Sequence, residues 1–535
     1  MPLRVEAPAA GDLGLLRALA EDLETLGYTV EGVAELLGPA AYNALSRDQV
    51  VPALVATARA LDSDDGRARG LAVVVRFFLL GRAVRRDQLG AAFPRIGLGG
   101  LEALGLAELG GADDGGGVRA AVDLRPYAWD DAEAASGEVR LWVASDLAAH
   151  QRPGVLRKDH VLGIGHASTT LVQSTARRQV ETALDLGTGC GIQTFHLLRH
   201  ARKVVATDVS ERALAFTRFN LLLNAHQLGI DPDRLEERVE LRLGSLLEPV
   251  AGERFDLVVS NPPFVITPRA EDERAEDQFT YRDGGLPGDQ LVAGLVQGLG
   301  DVLAEGGTAQ LLGNWEVPEG VAWHERVRSW IPEGVGAWVV QRELIGPEQY
   351  AETWLQDASE QRDPEGYEGA YAAYLDDFAS RGVAGIGFGM MWLRRPSAGQ
   401  ARLDRFEELT HPLEQPLGPH WQAAVERADW LAELGADGLG PVHLLVPDDV
   451  TEERHQRPGA EHPGVILLRQ GAGFRRTALL STEQAGFVSA CDGDLSARQI
   501  AGALAALLGR DDEAFTGDLL RDVRELLADG FLMKP

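Results

Sequence analysis

The middle of this sequence predicts an α/β fold built on a mostly parallel sheet, and three observations point there. Strand-like and helix-like runs alternate from about residue 151 to 396. A glycine-rich turn joins the first of those strands to its helix, and a later strand ends in a rigid Asn-Pro-Pro corner. Alternation of this kind gives a sheet covered on both faces. Seven runs read as strands: 180–186, 203–207, 238–243, 255–260, 308–313, 336–341 and 387–394. Helical stretches fall between them, including 211–224 and 291–303. The last two strands, separated by an insertion over 347–381, suit an antiparallel hairpin at the sheet edge.

Residues 1–150 read as mainly helical. Leu13, Leu16, Leu19, Leu23 and Leu26 have helical spacing, and 50–61 and 71–80 add two further helices. The stretch 85–106 reads as helix, turn at Phe93-Pro94, second helix and stop at Gly105, a winged-helix-like order. Asp113-Asp114-Gly115-Gly116-Gly117 fits a wing tip. Within 76–95 five arginines (Arg76, Arg82, Arg85, Arg86, Arg95) stand with one acid, Asp87, as a solvated face or a substrate-docking patch. From 397 the pattern changes again. Strands at 442–446 and 465–469 flank a polar, histidine-bearing loop, and helices follow at 482–491, 497–508 and 519–529, a second winged-helix-like docking module. Three parts are therefore expected: 1–150, 151–396 and 397–535.

With 535 residues the chain exceeds one ordinary core, and 45% apolar content describes a globular protein. The 51 lysines and arginines face 81 acids, a net charge of −30, which argues against a broad nucleic-acid surface but leaves room for local basic patches. Cys190 and Cys491 form no disulfide framework, so a reducing cytoplasm is expected. The N-terminus lacks a basic segment followed by a long apolar one. The most apolar run, 71–80, is interrupted by Arg76 and too short for a bilayer, so no membrane association is expected. The 12 histidines show no metal-ligand spacing with cysteines or acids.

The chemistry lies at two short stretches. Asp185-Leu186-Gly187-Thr188-Gly189-Cys190-Gly191 is a strand end, a tight turn and the start of a helix, the crevice where doubly wound folds hold nucleotide-like ligands. Glycines let the backbone pass close to a ligand. Their alternation is not the dinucleotide spacing, and the preceding acid suits a ligand bearing an ammonium and a sulfonium while repelling a pyrophosphate. Asp208 ends the next strand, where a carboxylate accepts both hydroxyls of a ribose. Cys190 reads as a small residue filling the turn.

Asn261-Pro262-Pro263-Phe264 discriminates among reactions. An amide or aromatic amine nitrogen is a poor nucleophile because its lone pair is delocalised. The Asn261 carboxamide and the Pro262 carbonyl can accept its two N–H groups, which favours a pyramidal nitrogen and stabilises the charge that develops on it. Prolines fix those acceptors, and Phe264 offers a face for a planar group.

With these motifs in view, residues 160–320 resemble the class I S-adenosylmethionine-dependent methyltransferases, specifically the small-domain family. That family includes glutamine methyltransferases of translation release factors and methyltransferases of RNA or DNA base amines. The resemblance implies a Rossmann-like seven-stranded methyltransferase sheet and S-adenosylmethionine as cofactor. It implies cofactor contacts at Asp185, Gly187, Thr188, Gly189, Gly191, Asp208, Val209, Ser245 and Asn261, and acceptor orientation by Asn261, Pro262 and Phe264. Gly244-Ser245-Leu246 stands where the family often carries an aspartate near the adenine amine. The segment from Arg282 to Asp289 looks like the Gly-Gly segment of the glutamine-modifying branch, and the histidine usual in the RNA-guanine branch is absent after Phe264. Gly165 to Thr170 lies where the family often places a segment over the cofactor, or is an ordinary helix cap. The partner implied is a macromolecule of translation: a release factor or other protein, or rRNA or tRNA. An NAD-type oxidoreductase would share the first turn and Asp208 but leave the Asn-Pro-Pro-Phe corner unexplained. A non-catalytic binding protein on the same core is the third reading.

Overall fold

Strands rich in Val, Leu and Ala dominate the middle of the chain and assemble one large mixed sheet. The computed structural model describes residues 7–47, 49–109, 117–131, 137–148, 150–152, 157–269, 283–357, 364–510 and 513–535. The acidic stretch 271–277, Arg282 and most of the expected wing tip at 113–117 lie outside the described residues.

The sheet strands, in chain order, are β1 (Val180–Leu186), β2 (Ala201–Asp208), β3 (Val239–Leu243), β4 (Phe255–Ser260), β5 (Leu303–Pro318), β6 (Gly336–Ile345), β7 (Val383–Arg394) and β8 (Asp404–Glu408). They lie side by side as β8-β6-β7-β5-β4-β1-β2-β3. β1 to β5 run parallel, whereas β7 is antiparallel to both β5 and β6. Two expectations are corrected. The sheet has eight strands, not seven, and β6 and β7 pair antiparallel as expected but do not end the sheet, because β8 lies outside β6. The eighth strand, Asp404-Arg-Phe-Glu-Glu, pairs in parallel with β6 beyond the expected boundary at 396. Its charges hide its strand character, because they are satisfied by neighbours and not by water. The Glu407 carboxylate accepts from Trp338 Nε1 at 2.6 Å, Arg476 Nη2 at 2.6 Å and Arg405 Nη2 at 2.9 Å.

Helices cover both faces. The central ones are α1 (His166–Ser174), α2 (Ile192–Leu197), α3 (Glu211–Leu223) and α4 (Gln290–Val302). α4 buries Leu291, Val292, Leu295, Val296 and Leu299, a stripe at helical spacing, against one face. Phe195, Phe216 and Phe219 pack the other face into a core that continues into the N-terminal helices. The insertion after β6 is a pair of helices, Pro347–Asp357 and Pro364–Ser380.

The N-terminal part begins with helix Leu13–Leu26, capped by Asp12, whose carboxylate accepts from the backbone of Gly14 and Leu15. Helices Arg86–Ala92 and Gly97–Ala103 are followed by a short hairpin, Ala107–Leu109 with Val118–Ala120, and Val84 bridges to Val118. A longer hairpin, Asp123–Asp130 with Glu138–Ser145, leads towards the central sheet. In the C-terminal part the two expected strands belong to different sheets. His443–Leu445 pairs with Asp492–Ser496, and Val465–Gln470 sits between Val450–His455 and Thr477–Leu480. Val450–His455 reads as a loop because it is a largely exposed edge strand of polar residues. Helix Gly418–Leu434 was not anticipated; it buries Trp421, Ala424, Val425 and Leu431.

The C-terminal part joins the sheet through Trp338, which stacks on Phe474 at 5.1 Å and lies 5.0 Å from the Arg405 guanidinium. Burial works against the Glu407 charge, but Arg476 and Arg405 outweigh it and hold the carboxyl below its ordinary range. Glu407→Ala removes the counter-charge from two largely buried guanidiniums. A loss of about 3 kcal/mol is expected, read as a lower urea midpoint at neutral pH. The wild-type advantage should shrink as pH falls through the depressed carboxyl pKa, since protonation also silences Glu407.

Candidate functional site

Parallel pairing of β1 with β4 sets the site. Leu184 pairs with Val258, Asp185 with Val259 and Leu186 with Ser260, so Gly187 and Asn261 leave the sheet together at its C-terminal edge. Ser260 Oγ donates to the Leu186 carbonyl at 2.9 Å and fastens the two strand ends. Both corners open into one cleft of about 370 Å³.

The glycine turn is shaped by its neighbours. Gly187 and Thr188 both donate backbone N–H to the Thr207 carbonyl at 2.9 Å. Gly187, Gly189 and Gly191 have φ of 75°, 57° and 96°, a region open to glycine but strained for other residues. At Gly191 a Cβ would meet Phe195 and Thr217 at 3.1–3.3 Å, so this glycine serves packing and does not line the cleft. Asp185 is fully buried behind the turn. Its Oδ2 accepts from Thr194 Oγ1 at 2.6 Å, Thr188 Oγ1 at 2.8 Å and Thr194 N at 2.9 Å, which pins the turn to the start of α2. Oδ1 has no partner, and Asp185 is not among the cleft residues. Burial pushes its carboxyl up to about 6, with the Thr194 and Thr188 bonds pulling the other way.

Gly187, Thr188, Gly189, Asp208, Val209, Ser245 and Asn261 all line the cleft. Asp208 accepts from Gly189 N at 3.0 Å and Ser210 N at 2.9 Å, one bond per oxygen, so each oxygen keeps acceptor capacity. Burial raises its pKa, while those backbone donors oppose the rise. Val209 is 58% exposed, an apolar side chain at the opening. The Asn261 Oδ1 is buried with no hydrogen-bond partner, an acceptor without a donor. Pro262 and Pro263 line the cleft but Phe264 does not; its ring meets Trp354 edge-to-face at 6.4 Å. The stretch after it is anchored by Tyr350, whose hydroxyl accepts from Ile266 N at 2.8 Å. Trp315 belongs to the core. Cys190 is buried, its thiol pushed up to about 12 by burial, and has no nucleophilic character.

Of the expected covering segment, Gly165 caps α1 and Ser168 alone lines the cleft. The wall it was expected to form is made instead by Asp159 to Gly163. That stretch is irregular and carries no periodicity to betray it in the sequence. Gln193 and Gly284 also line the cleft, the latter within the segment singled out above. Among the described residues lining the cleft are Asp159, Asp208 and Asp283 but no lysine or arginine. These carboxylate acceptors fit a cationic, ribose-bearing ligand. Among the described residues no group of three or more His, Cys, Asp or Glu is placed to hold a metal, and no helix is long and apolar enough to cross a membrane.

Sheet order, glycine turn and Asn-Pro-Pro corner together define a class I S-adenosylmethionine-dependent methyltransferase domain. Residues 146–280 match the family model "Methyltransferase small domain". Residues 25–121 match a second model, "Domain of unknown function (DUF7059)". Among curated relatives, the ribosomal protein uL3 glutamine methyltransferase of Bradyrhizobium diazoefficiens is 31% identical over 150 residues, 27% of this chain and 43% of the relative. The release factor glutamine methyltransferase of Geobacter sulfurreducens is 32% identical over 151 residues, 26% and 49% respectively. The ribosomal RNA small subunit methyltransferase C of Citrobacter koseri is 32% identical over 136 residues, 25% and 34%. The chain thus spans less than half the length of each of these three.

Asp185→Asn tests the buried carboxylate. The native carboxyl titrates at about 6, above the ordinary value of about 4, so its contribution to stability is full at low pH and lost as pH rises through 6. Urea melts at pH 4.5 and 7 should show the variant gaining on wild type at the higher pH.

Proposed function

We propose that the protein is an S-adenosylmethionine-dependent N-methyltransferase whose acceptor is a planar nitrogen of a macromolecule of the translation apparatus, a protein glutamine before a base amine. The observation that carries this reading is the buried, unpartnered Asn261 Oδ1 at the rim of an acid-lined cleft, one register step from the glycine turn. A buried acceptor left without a donor costs about 1–3 kcal/mol, and an incoming N–H removes that penalty. The names of the relatives, two glutamine methyltransferases and one ribosomal RNA methyltransferase, support the same acceptor chemistry.

In this reading Asp208 holds the ribose hydroxyls through its free acceptor capacity, and the backbone of Gly187 to Gly189 lies against the ligand. Ser245 and Val209 flank the adenine side. S-adenosylmethionine supplies, when bound, a methyl group on a cationic sulfur. Asn261 Oδ1 and the Pro262 carbonyl accept the two acceptor N–H groups and so orient the nitrogen lone pair. No strong base is required, because the methylated nitrogen becomes acidic and releases its proton to solvent.

Glutamine is favoured over a base by the fate of the arginine cluster. Arg85 pairs with Asp87, and Arg95 pairs with Asp22 and Glu21. Arg76 Nη1 is spent on the Leu54 carbonyl and Thr57. Among the described residues, Arg82 and Arg86 are the exposed cations of the five that stand outside an ion pair, a small electrostatic footprint for phosphate in a chain of net charge −30. An oxidoreductase is disfavoured because Gly187, Gly189 and Gly191 alternate instead of following the dinucleotide spacing, and because it leaves the Asn261-Pro262-Pro263 corner of the cleft without a role.

Labelled-methyl transfer to a cell extract, with protein and RNA fractions digested separately, should place the label in protein as a methylated glutamine. Label confined to RNA would reverse the order of acceptors. Asn261→Ala should abolish transfer while S-adenosylhomocysteine binds nearly as before by calorimetry. Asp208→Ala should weaken that binding by roughly 10- to 100-fold, the loss of charged hydrogen bonds worth about 1.5–3 kcal/mol.

A further inference from the structure

The N-terminal hairpin is fastened to the helix that leaves the ribose-binding loop. Arg212, Phe216, Asn220 and Asn224 recur every four residues along α3 and its C-cap, so they form one stripe. Asn224 accepts from Trp142 N at 2.9 Å and donates to the Trp142 carbonyl at 2.7 Å. Asn220 does the same for Ala144, at 2.8 and 2.9 Å, and its Nδ2 also donates to the Cys190 carbonyl of the glycine turn at 2.9 Å. Two carboxamides thus pair with the edge of strand Glu138–Ser145 as a neighbouring strand would.

At the head of the stripe, Arg212 makes a bidentate pair with Asp146, Nη1 to Oδ2 at 2.8 Å and Nη2 to Oδ1 at 2.6 Å. Both residues are mostly buried, with side chains 9% and 11% exposed. The pair also grips the cleft wall. Arg212 Nη1 donates to the Asp159 carbonyl at 2.9 Å, and Asp146 Oδ2 accepts from Val161 N at 2.8 Å. Asp146 N donates to the Val161 carbonyl at 3.1 Å. The gripped residues, Asp159 to Gly163, face the ligand space opposite Asp208 and the glycine turn. Close packing holds the far end as well, since a Cβ on Gly163 would lie 2.6 Å from Ser145 Oγ.

We propose that Asp146 and Arg212 are positioning residues for the cofactor. They seat the 157–163 segment as a wall of the cleft, so the N-terminal hairpin is a working part of the cofactor site and not only a docking appendage. The proposal rests on the reading of the cleft as the S-adenosylmethionine site. Arg212 lies in the first turn of α3, four residues after the end of β2 that carries Asp208, so the ribose contact and the wall's anchor are close neighbours in the chain. Neither residue of the pair lines the cleft itself, and their effect passes through the backbone they hold.

The test uses the full chain and S-adenosylhomocysteine as probe. Arg212→Met is expected to bind it at least tenfold more weakly by calorimetry and to lose hydrogen-exchange protection over 157–163, with a cooperative thermal melt retained. Arg212→Lys, which keeps one charged bond, should recover part of both. Asp146→Asn, which breaks the charge pair from its other side, should reproduce the affinity loss and serves if Arg212→Met does not fold. Wild-type affinity in a folded Arg212→Met or in Asp146→Asn overturns the proposal. Failure of the wild-type chain to bind the probe overturns the reading of the cleft together with the proposal.

Discussion

One register dictates the rest: the parallel pairing that sets Leu186 beside Ser260. A strand slipped by one position would turn every side chain of β4 to the opposite face and carry the Asn-Pro-Pro corner away from the glycine turn. The buried core fixes that register, because Leu257 and Val259 pack towards one layer of helices while Val258 packs towards the other. Ser260 Oγ adds a bond at the point where both chains leave the sheet. Chemistry at this edge is therefore positioned by hydrophobic packing some distance inside the sheet.

Around that edge the protein places carboxylates where burial works against their charge. Asp185 is surrounded by hydroxyl and amide donors and does not touch the cleft; its work is to hold the turn onto α2. Asp208 keeps acceptor capacity because its backbone donors use one lone pair of each oxygen. The two acids of the sequence motif thus divide into an internal support and a cleft-facing acceptor. Arg212 and Asp146 form a third buried charged group that supports backbone on the far side. Such pairs contribute little net stability when intact, but removal of one member leaves an uncompensated charge. Their value lies in fixing geometry.

Much of the central sheet was legible because parallel strands buried on both faces are nearly continuous apolar runs. Val180–Leu186 and Phe255–Ser260 coincide with expectation to the residue. Asp404–Glu408 was not legible: its strand character depends on Arg476 and Trp338, neither of them near it in sequence. Helix Gly418–Leu434 did carry an apolar stripe, Leu417, Trp421, Ala424 and Val425, that could have been read. At the site, the glycine turn and the Asn-Pro-Pro corner announce themselves by composition. The wall from Asp159 to Gly163 does not, since it has no periodicity and is held by an ion pair between positions far apart in the chain. Phe264 illustrates the converse. Its motif suggests a stacking platform, yet its ring is held edge-on by Trp354, contributed by the helical insertion after β6.

The unpaired Asn261 oxygen bears on why so much structure surrounds so short a motif. A buried acceptor without a donor raises the energy of the resting protein, and a flexible corner would relax by turning the carboxamide to water. Three restraints oppose that relaxation. Two prolines fix the backbone that follows, Ser260 ties the residue before it to β1, and the Tyr350 hydroxyl holds Ile266 beyond it. Tyr350 is itself fixed, receiving Asn314 Nδ2 at 2.8 Å and stacking on Phe388 at 5.7 Å. The helical insertion that carries Tyr350 is thereby connected to the orientation of a side chain on another strand. In the proposed reaction an acceptor group held ready in this way needs no reorganisation when an N–H arrives, and interactions that need none are the ones that most favour a transition state.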